Sequence, residues 1–436
     1  MTPRCIVLIG LSVRAAAEAA RRDGWRVIGL DAFGDADTRA ACHHWEPLAL
    51  QPDGSPCAWQ LDLAGLDHLL RRIGPPRGAW LLPGSGLPRE GATLGPWLEA
   101  WQAGLGLRWA GSDPSEVAAL RDPRRFFPVL DLLGVAHPGV SLSPPPVAAA
   151  GEWLVKDFAT SGGASVQPAL PRAPASAEGP VTGYWQRLLP GLPLSLTVLA
   201  DGQRAALLGL NRQRLAPTPT HPWRFGGVAG PLPCLAPARL LLQGWADRLA
   251  AHFRLRGLFS LDLVGSTDAA PESFHLLEVN PRWPASAQLY GGVYGGAGGL
   301  MNATVNACEG RLPTAAELQR LRHPPGSAAL RGWAIAYSPC ATTLDSARLQ
   351  SLLNLQGGAH PHTAHLCLHD LPAPGPESVL LGEGDPLCSV SVGGADLATV
   401  QQRIDRALQH IRTALLQPHG GMPTKCKTDL LNPIPT

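Results

Sequence analysis

Apolar residues in this chain follow two rhythms. CIVLIGL (Cys5–Leu11) is a short unbroken apolar run, as expected of a strand buried on both faces of a parallel sheet. VRAAAEAARRDG (Val13–Gly24) comes next. It is alanine-rich, closes on charged residues and a glycine stop, and predicts a helix. WRVIGLD (Trp25–Asp31) predicts a second strand, which completes a βαβ unit. AWLLPGSGLPRE (Ala79–Glu90) repeats the strand-then-glycine pattern. Together these predict a first α/β domain over 1–113.

From Asp113 to Gly139 the apolar spacing becomes three and four, predicting a mostly helical segment with a turn at Gly134 and an extended His137–Pro138. SLSPPPVAAAG (Ser141–Gly151) is proline-rich connection, EWLVKDF a strand, and PALPRAPASAEGP (Pro168–Pro180) an exposed loop. YWQRLL, a Pro-Gly turn and LSLTVLAD predict paired strands, and AALLGLNRQRL extends that sheet. LAPARLLLQGWADRLAAHF (Leu235–Phe253) predicts a helix. GLFSLDLVGS and ESFHLLEVNPR alternate around a polar turn and predict an antiparallel hairpin. A third segment starts near Leu312, and its last helix runs near Asp396–Leu416 with Asp396 as N-cap. Gln417–Thr436 has no apolar period and is expected to be a loose tail. There are no internal repeats. The expected layout is 1–113, 114–311 with a lid at roughly 141–190, 312–417, and a tail at 418–436.

Composition narrows the function. The 436 residues are 45% hydrophobic and 16% charged, with a net charge of +2, so a sizeable core is expected. A surface this balanced gives no argument for nucleic acid or an anionic membrane as partner. Nine scattered cysteines include no CxxC, which makes a disulfide framework or cysteine zinc site improbable and reduced thiols the expectation. The apolar N-terminal run is too short for a membrane span, and a cytoplasmic protein acting on small molecules is expected. Only three lysines occur, at 156, 425 and 427, against 33 arginines.

Two motifs carry chemistry. In the predicted hairpin, Glu278 and Asn280 are two apart on a strand, so they share a face, and Asp262 can lie opposite them. Two carboxylates and an amide oxygen suit Mg²⁺, or Mn²⁺, and Arg282 projects the same way, able to grip phosphate oxygens. An ordinary solvated strand face would look similar. In WLVKDFATSGGASV (Trp153–Val166), Lys156 sits on a strand that runs into Ser161, Gly162 and Gly163, where glycines let backbone N–H groups approach phosphate. Lysine, glycine loop and carboxylate hairpin together are the parts needed to hold a triphosphate.

With these residues in view, the chain resembles the ATP-grasp superfamily over roughly Ile6 to Leu415. The resemblance rests on WLVKDFATSGGASV, YWQRLLPGLPLS and FSLDLV…FHLLEVNPR, the last having the superfamily's D…E-x-N-x-R order. It implies an N-terminal Rossmann-like domain, an ATP-binding lid and central domain, and a smaller C-terminal α/β domain, α/β (α+β) overall. It implies that Lys156 contacts ATP phosphates, that Ser161–Gly163 forms the phosphate lid, and that Gln186, Arg187 and Leu188 form the adenine hinge. Gln213 would face the nucleotide, Asp262, Glu278 and Asn280 would bind magnesium, and Arg282 would stabilise the transferring phosphate. The activity implied is an ATP-dependent ligase joining a small-molecule carboxylate to an amine, with a homodimer allowed but not required. The chain is also reminiscent of ATP-grasp proteins associated with C1-carrier coenzymes, though on no diagnostic motif.

The pattern has departures. Where the family often has Asp-Lys, this chain has Asp122-Pro123 followed by Arg124, so a second phosphate cation is missing unless Arg124 serves. Leu194 stands where a ribose-binding glutamate is expected, and Glu152 or Asp157 is only a guess in its place. Gly10-Leu11-Ser12 is not a dinucleotide fingerprint and is expected on the substrate side; Gly84-Ser85-Gly86 ends a strand where substrate could bind. In HPWRFGGVAGP (His221–Pro231), Arg224 rather than His221 is the expected cation for a substrate carboxylate. Bicarbonate activation of the biotin-carboxylase type, and a non-catalytic ATP-binding module, are the alternatives.

Overall fold

A computed structural model describes residues 4–48, 50–52, 59–84, 91–145, 152–157, 162–163, 165–169, 183–266, 273–291, 298–355, 366–373 and 379–416. Ser161, Ser85, Gly86, most of the predicted 168–180 loop and the predicted tail lie outside them. The N-terminal unit is a parallel five-stranded sheet in the order His44–Pro47, Arg26–Asp31, Cys5–Gly10, Trp80–Pro83, Arg108–Trp109. Alternate residues of Cys5–Gly10 enter two separate cores: Val7 and Ile9 pack with Leu66, Leu70 and Trp101, while Ile6 and Leu8 pack with the alanine face of helix Arg14–Arg22. This double burial is why the run shows no polar alternation.

The predicted helical segment divides at Asp122. Helix Pro114–Arg121 ends there, Pro123 opens helix Pro123–Leu133, and the Asp122 side chain caps it through the Arg124 N–H at 2.9 Å. Proline tolerates the first turn of a helix but cannot continue the preceding one.

Two further sheets follow. A four-stranded antiparallel sheet has the order Gln167–Pro168, Trp153–Asp157, Gly183–Arg187, Val140–Ser141. An eight-stranded antiparallel sheet has the order His275–Asn280, Arg256–Gly265, Leu192–Asp201, Ala205–Leu215, Phe225–Leu232, Leu330–Tyr337, Pro386–Gly394, Cys367–His369. Gly183–Arg187 and Leu192–Asp201, expected to pair, therefore lie in different sheets, and residues 188–191 carry the chain between them. The larger sheet also crosses the expected 311/312 boundary, since its last three strands come from the third segment. Helix Ala236–His252 buries Leu242, Trp245, Ala246, Leu249 and Ala250, one helical stripe, against one face of this sheet. Helix Leu397–Leu416, with the Thr399 N–H on Asp396 at 2.7 Å, covers the third segment's strands through Val400, Ile404, Ala407 and Ile411.

The N-terminal unit is tied to the centre by Asp23. Its carboxylate sits at the start of helix Leu300–Cys308 and accepts the Asn302 N–H at 2.8 Å, while the Trp25 indole donates to Asn302 Oδ1 at 3.0 Å. No helix among the described residues is long and apolar enough to cross a membrane. The seven described cysteines are free thiols; Cys57 and Cys426 lie outside the described residues.

Candidate active site

Register brings the predicted carboxylates together. Asp262 pairs directly with Glu278, and Ser260 with Asn280, before a bulge after Asp262 shifts the ladder. Directly opposed residues of an antiparallel pair share a face, so the two carboxylates meet. The Asn280 amide bridges them: Nδ2 donates to Asp262 Oδ2 at 3.1 Å and to Glu278 Oε1 at 2.9 Å. Its oxygen accepts from Arg282 NH2 at 3.4 Å. The amide therefore turns nitrogen, not the expected oxygen, toward the carboxylates. A cation between them would require the amide to turn over, because an N–H cannot ligate a metal.

The charges interlock. Burial, then the charge of Glu278, pushes the Asp262 carboxyl well above the usual range, with Arg282 and a hydrogen bond from Gln213 opposing. Burial also pushes Glu278 up, but the Lys156 ammonium and hydrogen bonds from Asp262 and Asn280 outweigh it, so Glu278 lies low. Asp262 is therefore the member of the pair that takes up a proton more readily, and Glu278 the one that stays charged. Lys156 lies on Trp153–Asp157 of the smaller sheet, opposite Tyr184. Burial pulls its ammonium below the usual lysine range, while Glu278 and Asp262 pull it back.

The structure adds one cation that sequence reasoning missed. Arg121, last residue of its helix, acts on Glu278, whereas the Arg124 side chain is exposed. The signal was available: the helix break that Pro123 imposes leaves the residue before Asp122 at a helix end.

Gly162 and Gly163 have φ of +73° and +75°, the left-handed region that favours glycine. Their loop rests on the start of strand Phe225–Leu232: the Phe225 N–H donates to Gly162 O at 3.0 Å, and a Cβ on Gly163 would stand 2.0 Å from Trp223 O. Gln167 Nε2 reaches Thr220 O at 2.7 Å. His221–Phe225 is thus the seat of the glycine loop. Arg224, expected to meet a substrate carboxylate, is instead spent on packing. Its Nε donates to Ala216 O at 3.0 Å, NH1 donates to Gly384 O at 3.2 Å, and its guanidinium lies 3.7 Å over the Tyr337 ring.

The predicted hinge is also altered. The Arg187 N–H already donates to Gly139 O at 2.8 Å, and the Leu188 N–H to Glu152 O at 2.7 Å, while Arg187 pairs with Glu152 at 3.1 Å. The donor left there is the Gln186 side chain. It is 1% exposed, shares the face of Tyr184 and Lys156, and its Nε2 has no partner among the described residues. Ser195, between Asp262 and Asn211 in neighbouring strands, has a hydroxyl in the same condition. Buried polar groups are normally paired, so these two orphans suit a polar ligand. Leu194 is fully buried in the core and offers no ribose contact.

A small lid sheet bearing a lysine, set against a larger sheet bearing a carboxylate pair, is the architecture of the ATP-grasp class. Residues 122–286 match the ATP-grasp domain family, and the chain carries an ATP-grasp domain; the predicted nucleotide and metal residues fall within that span. No curated protein matches the chain. Among solved structures, the biotin carboxylase domain of a single-chain bacterial carboxylase is 18% identical, with 96% of this chain and 94% of that one covered and a TM-score of 0.60. Biotin carboxylase from Campylobacter jejuni, solved as a β,γ-ATP complex, is 13% identical over 93% and 91%, with a TM-score of 0.64. Carboxyaminoimidazole ribonucleotide synthase from Aspergillus clavatus, solved with ATP, is 13% identical over 94% and 99%, with a TM-score of 0.63. At these identities the likeness is one of fold.

Proposed function

We propose that the chain is an ATP- and Mg²⁺-dependent ligase that joins a small-molecule carboxylate to an amine. The observation that carries this reading is the convergence of Lys156, Arg282 and Arg121 on the Asp262–Glu278 pair. Three cations around two carboxylates suit a polyphosphate and its metal better than a structural ion pair. Asp262 and Glu278, with Asn280 turned over, would hold Mg²⁺, which supplies charge neutralisation at the phosphates. The mutual repulsion that raises Asp262 fits this, since a cation between the carboxylates would relieve it.

Lys156 and Arg282 bind and orient the γ-phosphate, each charge-assisted contact contributing about 1.5–3 kcal/mol net. The Gly162–Gly163 loop covers the phosphates, and Gln186 offers the buried donor at the base. A substrate carboxylate oxygen attacks the γ-phosphorus, the bond to the β–γ bridging oxygen breaks, and ADP leaves. The amine nitrogen then attacks the acyl carbon, the bond to the phosphate oxygen breaks, and the amine proton passes to solvent or phosphate. Positioning and charge supply the catalysis.

The test is purified chain with ATP, Mg²⁺ and a metabolite extract supplemented with glutamate and coenzyme-like acids, followed by mass spectrometry. The expected result is ADP plus a new amide, both abolished by Glu278→Gln. ATP bound tightly without turnover in every pool would instead indicate a non-catalytic module. The likeness in fold to biotin carboxylases favours bicarbonate as a second acid to try, with free biotin as acceptor.

A further inference from the structure

A second polar cluster lies away from the carboxylate hairpin, where the N-terminal unit meets the third segment. Arg14, 3% exposed, donates from Nε to Asp370 at 2.6 Å, lies 3.2 Å from Glu18 and 3.6 Å from Asp37, and bonds Gln288. Asp31 and Asp35 add two more carboxylates from the C-terminal end of strand Arg26–Asp31, the edge at which parallel sheets bind ligands. Arg14 thus lies among Asp370, Glu18, Asp37 and Asp35, while the Asp31 carboxylate accepts from Trp45 at 2.7 Å and the Gly34 N–H at 3.0 Å.

The geometry around His369 goes beyond what an ion network needs. His369 Nε2 is held by Ser391 Oγ at 2.8 Å, which leaves Nδ1 directed at Asp37 Oδ2 at 3.8 Å. That gap is too long for a hydrogen bond, yet close to the roughly 3.4 Å separating two ligands of one tetrahedral metal ion bound at about 2.1 Å. Ligand atoms of Glu18, Asp37 and His369 all lie within 4.8 Å of one another.

We propose that Glu18, Asp37 and His369 form a divalent metal site of the zinc class that fastens the N-terminal unit to the third segment. The donor set of one imidazole and two carboxylates is of the kind Zn²⁺ takes. Ser391 provides the outer hydrogen bond that fixes the imidazole, as outer partners of metal-bound histidines do. The site is separate from the ATP-grasp carboxylates and does not depend on the ligase reading.

The test uses the full chain, stripped with chelator and titrated with Zn²⁺ against a chromophoric competitor, with Co²⁺ absorption as a second readout. Asp262→Asn serves as control, since it removes a ligand only from the other site. The expected result is one Zn²⁺ per chain in wild type and in Asp262→Asn, weakened about 100-fold or more by His369→Ala and by Asp37→Asn. Ser391→Ala, the mildest change, should weaken it about tenfold. Zn²⁺ should raise the unfolding midpoint of wild type but not of His369→Ala. Absence of Zn²⁺ binding in Asp262→Asn, or binding indifferent to His369 and Ser391, overturns the proposal. So does a His369→Ala midpoint lowered equally with and without Zn²⁺, which would mark the cluster as an ion network alone.

Discussion

Replacing Asp262 by asparagine should stabilise the metal-free protein while abolishing its activity. Asn280 Nδ2 lies 3.1 Å from Asp262 and 2.9 Å from Glu278, which bounds the separation of those two oxygens at about 6 Å. Two unit charges at that distance repel by about 3 kcal/mol at an effective dielectric near 20. Glu278 lies among buried groups but opens to the cleft along one side, and solvent there screens part of this, so about 1–2 kcal/mol is expected at neutral pH. Asparagine keeps an acceptor for Asn280 and gains a donor for Glu278, so the geometry survives.

The sign with pH follows from the direction of the shift. Asp262 is raised in the folded protein, so the folded state keeps a proton that the unfolded chain releases above about pH 4. Its contribution is therefore full below pH 4 and lost as pH rises through the folded value. Asp262→Asn should match wild type near pH 4 and exceed it increasingly toward pH 8. Urea unfolding followed by tryptophan fluorescence in EDTA, at several pH values, measures this. With MgATP added, wild type should gain stability and the variant little or none. A variant less stable than wild type in EDTA at pH 7.5, or one that keeps ADP formation, refutes the reasoning: Asp262 would then be a structural acceptor rather than a strained cation ligand.

Gly163→Ala should raise the KM for ATP about tenfold or more, since a left-handed φ and a carbonyl 2.0 Å from the new Cβ unseat the loop from Trp223; an unchanged KM would dissociate that loop from ATP. Gly299→Ala should lower the thermal midpoint by several degrees, because its Cβ would stand 1.6 Å from Asp23 Oδ1 and displace the carboxylate that caps helix Leu300–Cys308. A midpoint within a degree of wild type would show that the clamp yields freely. Lys156→Arg keeps the charge and should cost about a hundredfold or more in kcat/KM, measured by coupled ADP release; turnover near wild type would show that the position needs only a cation.

The legible and hidden parts of this site differ in how far apart the cooperating residues lie in the chain. Glu278 and Asn280 were readable because a strand's period of two settles their common face without reference to the rest of the fold. The opposition of Asp262 followed once a hairpin was assumed. By contrast, the 183–187 and 192–201 strands read as one hairpin because Pro-Gly between apolar runs is a hairpin signal, and only the other strands of each sheet decide that they part. Arg224 illustrates a different blindness: a loop arginine looks available until the chain brings Tyr337 and Gly384 beneath it. The cluster around Arg14 is invisible locally, since its partner Asp370 is 356 residues away.

Lys156 combines both kinds of information. Its rarity was visible in the sequence, but the reason for a lysine there depends on what the second sheet holds opposite it. A guanidinium stays protonated under any ordinary desolvation. At 156 it would remain a permanent partner of Glu278 and Asp262, occupying the charge that a metal must take up. A lysine ammonium is already pulled down by burial and held up by those same carboxylates, so its hold on them is conditional. On the proposed reading, polyphosphate beside Lys156 would compete with the pair for its ammonium, leaving the carboxylates to the cation. The contrast with the arginines elsewhere in the chain is therefore one of adjustable against fixed charge, with the adjustable one beside the two carboxylates that the proposed metal would share.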